Sequence, residues 1–236
     1  RPEKAHPLLP NLLTTRPQDI LEDTGTHIVV EVMGGEDPAL GYIRRALETG
    51  KYVVTANKEV MAKHGPELLG LAAEKGVDIL YEASVGGGIP IISPLKRDLS
   101  ANEISSIRAI INGTTNYILT RMSRDGLDFA AALAQAQELG YAEADPTNDI
   151  DGHDAAYKLA ILASLAFHTR VRPEDVYREG ITLLSPQDFR YAAELGYAIK
   201  LLALARAAEG GVQARVHPAL IPLDEQNFVP RYNLGC

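Results

Sequence analysis

The sequence predicts an α/β protein built as an incomplete doubly wound, Rossmann-like parallel sheet followed by an α+β domain. Three observations carry this reading. Apolar, β-branched runs alternate with helical patterns over residues 27–83, glycine-containing connections join them, and past Pro90 the alternation gives way to a helix-rich region with two further strand patterns. The expected organisation is a partial nucleotide-binding domain over residues 1–90, a second domain over 91–222, and a tail over 223–236 without a clear pattern.

Residues 1–26 are rich in Pro and Thr and show no sustained period, with one short helical turn expected at 17–21. HIVVEVM (27–33) is a continuous apolar run stopped by Gly34 and Gly35, the pattern of a strand buried on both faces. Asp37 then reads as an N-cap with Pro38 at the first helical position, and helical spacing follows over 39–47 up to Gly50. YVVT (52–55) is a second strand with Asn57 and Lys58 at its C-terminal end. A helix over 59–75, interrupted at Gly65 and Pro66, leads to a third strand, VDILYEA (77–83), and the glycines 86–88.

In such sheets ligands lie outside the carboxyl ends of the strands. Met33, Gly34, Gly35, Asn57, Lys58 and residues 82–89 therefore share one rim, where a dinucleotide would lie. No G-x-G-x-x-G turn occurs upstream, and VGGGIP (85–90) lacks its spacing. Either this is not a nucleotide fold or its first βα unit is missing; the chain has no Met at position 1 and begins RPEKAHPLLP, so the second reading, a piece of something longer, is favoured.

The second region predicts a helix over 91–99, a strand over 104–112, and a polar turn NGTTN (112–116) capping a helix over 117–124. A helix over 128–139 closes at Gly140, and helix 152–167 follows the acidic stretch. A short turn starts at Pro173, one long amphipathic helix spans 187–208, and a strand covers 212–216.

Composition bounds the chemistry. At 236 residues with 46% hydrophobic content the chain can bury a sizeable core, and a formal net charge of -8 excludes a nucleic-acid or anionic-membrane surface. No apolar run approaches the roughly 20 residues of a membrane span. A single cysteine, Cys236, fits a reducing cytoplasm and leaves no buried nucleophile for an acylating semialdehyde dehydrogenase.

GYAEADPTNDIDGHDAAYK (140–158) places five carboxylates, Glu143, Asp145, Asp149, Asp151 and Asp154, within twelve residues. A calcium loop aligned on Gly152 fails, because Thr147 and Lys158 occupy positions that need acidic ligands, and His153 has no second zinc ligand at suitable spacing. Asp151 reads as an N-cap, and Asp154 and Lys158 form an i, i+4 pair. On the surface such a pair contributes only about 0.3–0.5 kcal/mol. Lys158, however, sits among Ala155, Leu159, Ile161, Leu162 and Leu165, where desolvation and an adjacent carboxylate tune an amine for acid/base work. Glu143 and Asp149 would then accept from a substrate ammonium.

Five motifs in unbroken order over residues 2–223 (VVEVMGG, TANKE, EASVGGGIPII, NGTTNYIL and the acidic stretch) resemble homoserine dehydrogenase, which interconverts L-homoserine and aspartate 4-semialdehyde with NAD or NADP. The resemblance implies Lys158 as general acid/base with Asp154 beside it, and Glu143, Asp149 and Tyr141 as substrate-binding residues. It further implies Lys58 and Gly34 near the cofactor, and a sodium site at Glu82 with the carbonyls of Val85, Gly87 and Ile89. A homodimer paired through residues 104–112 and 212–217 also follows from it. The family's opening glycine-rich turn and its later return to the cofactor site have no counterpart here. The alternative is an inactive, truncated dimeric scaffold that binds no nucleotide.

Overall fold

The computed structural model describes residues 13–224, which fall into two compact units, one ending at Ser84 and the other beginning at Val85. In the first, a single turn α1 (Gln18–Leu21) precedes β1 (Ile28–Glu31), α2 (Ala39–Glu48), β2 (Tyr52–Thr55), α3 (Lys58–Lys75) and β3 (Ile79–Leu80). The strands pair in parallel in the order β1-β2-β3, with Val29 opposite Val53 and Val53 opposite Ile79. α2 buries Ala39, Ile43, Ala46 and Leu47, the i, i+4, i+7, i+8 stripe of an amphipathic helix. α3 is capped by the Asn57 side chain, which accepts from Val60 N at 3.0 Å, and closes at left-handed Gly76.

Four expectations are corrected in this unit. β1 is buried on one face only: Glu31 points into the unit, while Ile28 and Val30 are 59% and 63% exposed beside exposed Tyr52 and Leu80. The helices of this unit cover a single face of its sheet, so apolar side chains on both faces of a strand did not imply two covered faces. Pro38 takes the N-cap position of α2 without a side-chain cap, and Leu40 N donates to Glu36 O at 2.9 Å in place of an Asp37 cap. α3 runs unbroken through Gly65 and Pro66. Of the third strand only Ile79 and Leu80 pair, because Glu82–Ser84 winds into a 3-10 turn.

The second unit runs α4 (Ile92–Lys96), β4 (Ser106–Ala109), α5 (Gly113–Asp125), α6 (Phe129–Glu138), α7 (Thr147–Ile150), α8 (His153–Ala166), β5 (Tyr177–Arg178), α9 (Pro186–Glu194), β6 (Tyr197–Ala208) and β7 (Gly211–Pro222). Its mixed sheet has the order β4-β6-β7-β5, antiparallel except for β5 against β7. Ile118, Leu119, Met122, Leu159, Ile181 and Val216 are fully buried in its core. Among the described residues no helix is long and apolar enough to cross a membrane.

The 187–208 pattern divides into a helix and a strand. α9 ends at Leu195, left-handed Gly196 (φ +80°) turns the chain, and β6 then pairs along its whole length with β7, from Tyr197 opposite Pro222 to Ala208 opposite Gly211. KLLALARAA is made of good helix formers, but Leu201, Leu202, Ala203 and Ala205 are all buried in a sheet covered by α5, α8 and α9, and that burial overrides local preference. β7 is accordingly longer than the 212–216 run, and α4 and β4 are shorter than the 91–99 and 104–112 patterns.

Candidate active site

The site in the second unit is assembled from three chain segments. β4 delivers Ile111 and Asn112 to the start of α5, where the Asn112 Oδ1 accepts from Thr115 N and from Thr115 Oγ1, both at 2.8 Å. α6 ends through left-handed Gly140 into Tyr141 and the acidic loop. There Asp145 Oδ1 accepts from Thr147 Oγ1 (2.6 Å) and Thr147 N (3.1 Å), and those bonds hold its carboxyl below the usual carboxylate range. The single turn α7 follows and passes through Gly152 into α8.

Asp151 is the C-cap of α7 rather than the N-cap of α8; Gly152, at φ +79°, takes the N-cap position. A carboxylate side chain there would need the left-handed backbone, and a Cβ on Gly152 would lie 3.2 Å from Val216 Cγ1. The corner is braced from outside. Ile181 N donates to Ile150 O at 2.9 Å, and a Cβ on the neighbouring Gly180 would come within 2.6 Å of that carbonyl, so the two segments meet at a distance that excludes any side chain.

The Lys158–Asp154 pair lies behind this corner. Lys158 Nζ donates to Asp154 Oδ2 at 2.7 Å and to the Ile111 carbonyl at 2.9 Å. The Asp154 side chain is 2% exposed and that of Lys158 18%, so the pair is enclosed, unlike a surface i, i+4 pair. The Asn112 amide Nδ2 donates both to Asp154 Oδ2 (2.9 Å) and to Asp149 Oδ1 (2.6 Å). Asp149, Asp154 and Lys158 are thus joined in one hydrogen-bonded cluster.

Tyr141 is tied to it indirectly: its carbonyl accepts from Thr114 Oγ1 (2.7 Å) in the first turn of α5, and its ring stands 4.7 Å from that of Tyr117. Glu143 lies exposed on the same loop, which Gln137 holds by donating to the Glu143 carbonyl at 3.0 Å. Sequence reasoning missed Ile111 and Gly180, and saw Asn112 only as part of a capping turn. An Asn opening a helix close to a carboxylate-rich loop was the available signal for Asn112; nothing in the sequence marks a backbone carbonyl as a lysine acceptor.

The first unit carries a separate rim. Buried Glu31 accepts from Met33 N (2.7 Å) and Thr55 Oγ1 (2.6 Å), and Asn57 Nδ2 donates to Gly35 O (2.7 Å). This network fixes Gly34 and Gly35, at φ +77° and +73°, beyond the C-terminal end of β1, with open space where their Cβ atoms would be. Such an open glycine cradle at the carboxyl edge of parallel strands fits a dinucleotide. Lys58 begins α3 beside it, half-buried. Glu36 accepts from Lys63 Nζ and pairs with His64 Nε2, each at 2.7 Å, and these two partners hold its carboxyl below the usual range.

Beyond Glu82 and the 3-10 turn it opens, buried Val85 leads into a tight turn in which Ile89 N donates to Gly86 O at 2.9 Å. Gly86 and Gly87 are both left-handed there, and Ile89 is exposed.

Comparison with known proteins bears on both units. A family model described as homoserine dehydrogenase matches residues 90–229, and one described as homoserine dehydrogenase, NAD binding domain, matches residues 3–82. A homoserine dehydrogenase of a Synechocystis species is 54% identical over 221 residues, 92% of this chain and 51% of the relative. That of Corynebacterium glutamicum is 48% identical over 219 residues, 91% and 49% of the two chains. The crystal structure of a homoserine dehydrogenase from Thiobacillus denitrificans superposes with a TM-score of 0.91 at 50% identity, covering 95% of this chain and 52% of that one. A hyperthermophilic archaeal homoserine dehydrogenase in complex with NADPH superposes with a TM-score of 0.76 at 32% identity, covering 91% and 62%. The chain spans about half the length of the curated relatives it matches.

Proposed function

The chain belongs to the homoserine dehydrogenase family, and we propose that it serves the NAD(P)-dependent interconversion of L-homoserine and aspartate 4-semialdehyde, a step towards threonine and methionine. The observation that carries this reading is the enclosed Lys158–Asp154 pair.

Asp154 and the Ile111 carbonyl hold two directions around Lys158 Nζ. The remaining one is the lone pair when the amine is neutral and an N–H when it is charged. In the oxidation direction that lone pair takes the proton of the homoserine hydroxyl; in reduction the N–H returns it to the carbonyl oxygen of the semialdehyde. Asp154 stabilises the ammonium that forms. Asp149, Glu143 and Tyr141 receive the amino-acid end of the substrate, the two carboxylates accepting from its ammonium. The Gly34–Gly35 cradle with Lys58 would hold a nicotinamide cofactor, which would supply the hydride chemistry when bound.

Two finer proposals accompany this one. Among the described residues no group of three or more His, Cys, Asp and Glu side chains is placed to hold a metal. A monovalent cation would rest on the carbonyls of Val85, Gly87 and Ile89, oxygen donors suited to sodium. A homodimer would form through the second sheet, where β4 is an edge strand and a groove of about 370 Å³ exposes Arg108, Leu204, Arg206 and Arg215.

Homoserine-dependent reduction of NADP or NAD by the purified chain, with an NADPH titration beside it, tests the proposal. Turnover that disappears in Lys158→Ala supports it. NADPH binding without turnover, or turnover that survives the substitution, overturns the role of Lys158, and absence of both binding and turnover favours an inactive scaffold.

A further inference from the structure

We propose that Asn112 is a positioning residue for the reaction, a single amide that sets Asp154, and through it Lys158, while tying Asp149 of the acidic loop to the same point. The inference rests on the acid/base reading of Lys158.

The orientation of the amide is dictated by the backbone. Thr115 N–H can only donate, so the atom facing it must be the Asn112 oxygen, which also accepts from Thr115 Oγ1. The NH2 group is then turned the other way, and its two N–H bonds are both used, one on Asp149 Oδ1 at 2.6 Å and one on Asp154 Oδ2 at 2.9 Å. The residue is 5% exposed, which leaves little room for water to substitute for either bond.

Two carboxylates brought to one place repel, and the positive end of the amide dipole stands between them. The peptide on its N-terminal side adds a second constraint, because the Ile111 carbonyl holds the Lys158 amine at 2.9 Å. One cap residue with its preceding carbonyl therefore fixes a substrate-loop carboxylate, the carboxylate partner of the base, and the base itself. Ser and Asp cap helices as well as Asn does, but neither can donate two bonds to two carboxylates.

Asn112→Asp and Asn112→Ser keep an acceptor for Thr115 N; the first removes the donor and the second leaves one O–H where the amide has two N–H bonds. Asn112→Ser is expected to hold Tm within about 4 °C of the wild type, the shift of roughly 1 kcal/mol, and Asn112→Asp, which buries a third carboxylate beside Asp149 and Asp154, to lose more. Two readouts that a cap alone would not move are then compared. Acetylation of Lys158 by acetic anhydride, followed by mass spectrometry, is expected to be at least about three-fold slower in both variants, because Asp154 without its amide donor binds the ammonium more tightly. For homoserine oxidation kcat is expected to fall about ten-fold or more with a smaller change in KM, and in Asn112→Asp the rising limb of the pH profile moves to higher pH.

Unchanged labelling together with an unchanged kcat and pH profile would overturn the proposal. So would a large loss of Tm with unchanged labelling at a temperature where both proteins are folded, since Asn112 would then be a cap alone. If the wild-type chain does not turn over homoserine, the catalytic reading is what fails, and the labelling comparison by itself decides whether Asn112 sets the Lys158–Asp154 pair.

Discussion

Asp154 Oδ2 stands 2.7 Å from Lys158 Nζ, one turn further along α8, and both side chains are enclosed. An exposed pair at this spacing contributes little, whereas removing one member of an enclosed pair leaves the other charge without its partner. The two residues are therefore expected to differ in what their loss reveals.

If Lys158 is the proton acceptor proposed above, replacing it by Ala should lower kcat by about 10²–10⁴-fold while the Kd for NADPH stays unchanged. Lys158→Arg should be nearly as inactive, because a guanidinium does not give up its proton near neutral pH. Steady-state kinetics and a cofactor titration on each variant check this. Asp154→Asn should lower kcat less and move the pH dependence of kcat, since the amine then works beside a neutral partner.

Glu143 is exposed on the loop and takes no part in the Asn112 cluster, so its loss should leave the Lys158–Asp154 pair in place. Glu143→Gln is expected to raise the KM for homoserine about ten-fold or more with a smaller effect on kcat, as for an interaction made equally in ground and transition states. A kcat loss equal to that of Lys158→Ala would place Glu143 in the chemistry instead.

Gly180→Ala puts a methyl group 2.6 Å from the Ile150 carbonyl, in a backbone-to-backbone contact that cannot be relieved by a rotamer change. It should cost about 1–3 kcal/mol in urea unfolding and weaken homoserine binding through displacement of α7. Gly152→Ala combines a left-handed backbone with a 3.2 Å approach to Val216 Cγ1 and should cost about 1–2 kcal/mol.

Lys200, 7% exposed on β6, donates to Asn116 Oδ1 (2.8 Å) and Thr120 Oγ1 (3.0 Å). Burial, with a smaller contribution from the Arg124 charge, pulls its pKa from 10.5 down to about 8. Between those two values the unfolded chain binds the proton that the folded chain has released, so stability rises with pH across that window. Below about pH 8 both states are protonated and the folded state carries the whole penalty, on the order of 3 kcal/mol. Urea unfolding from pH 7 to 10.5 should show this rise, and Lys200→Met should abolish it.

Much of the architecture was legible because the signals were local. The alternation of β-branched runs with helical spacing gave the parallel sheet, and Gly140 closes its helix where capping chemistry puts it. β6 was illegible for the opposite reason: its Leu and Ala residues prefer a helix, and only the pairing with β7 makes them a strand. The bare face of β1 was hidden too, since Ile28 and Val30 look like core residues and their exposure depends on what packs over them. In the site, the Asp154–Lys158 spacing could be read from the helix period, but the links from Ile111 and Asn112 cross some forty residues of chain and have no pattern to announce them.

The β6–β7 hairpin closes through two residues, 209 and 210, whereas β4 meets β6 with Ser106 opposite Arg206, about a hundred residues apart in the chain. Every member of the Asn112 cluster lies inside that long loop. Short-range pairing is entropically cheap and long-range closure is not, so the hairpin can form early, while the cluster waits until β4 docks. Refolding should therefore restore strand signal first, with the Asn112 cluster among the last parts of its unit to acquire order.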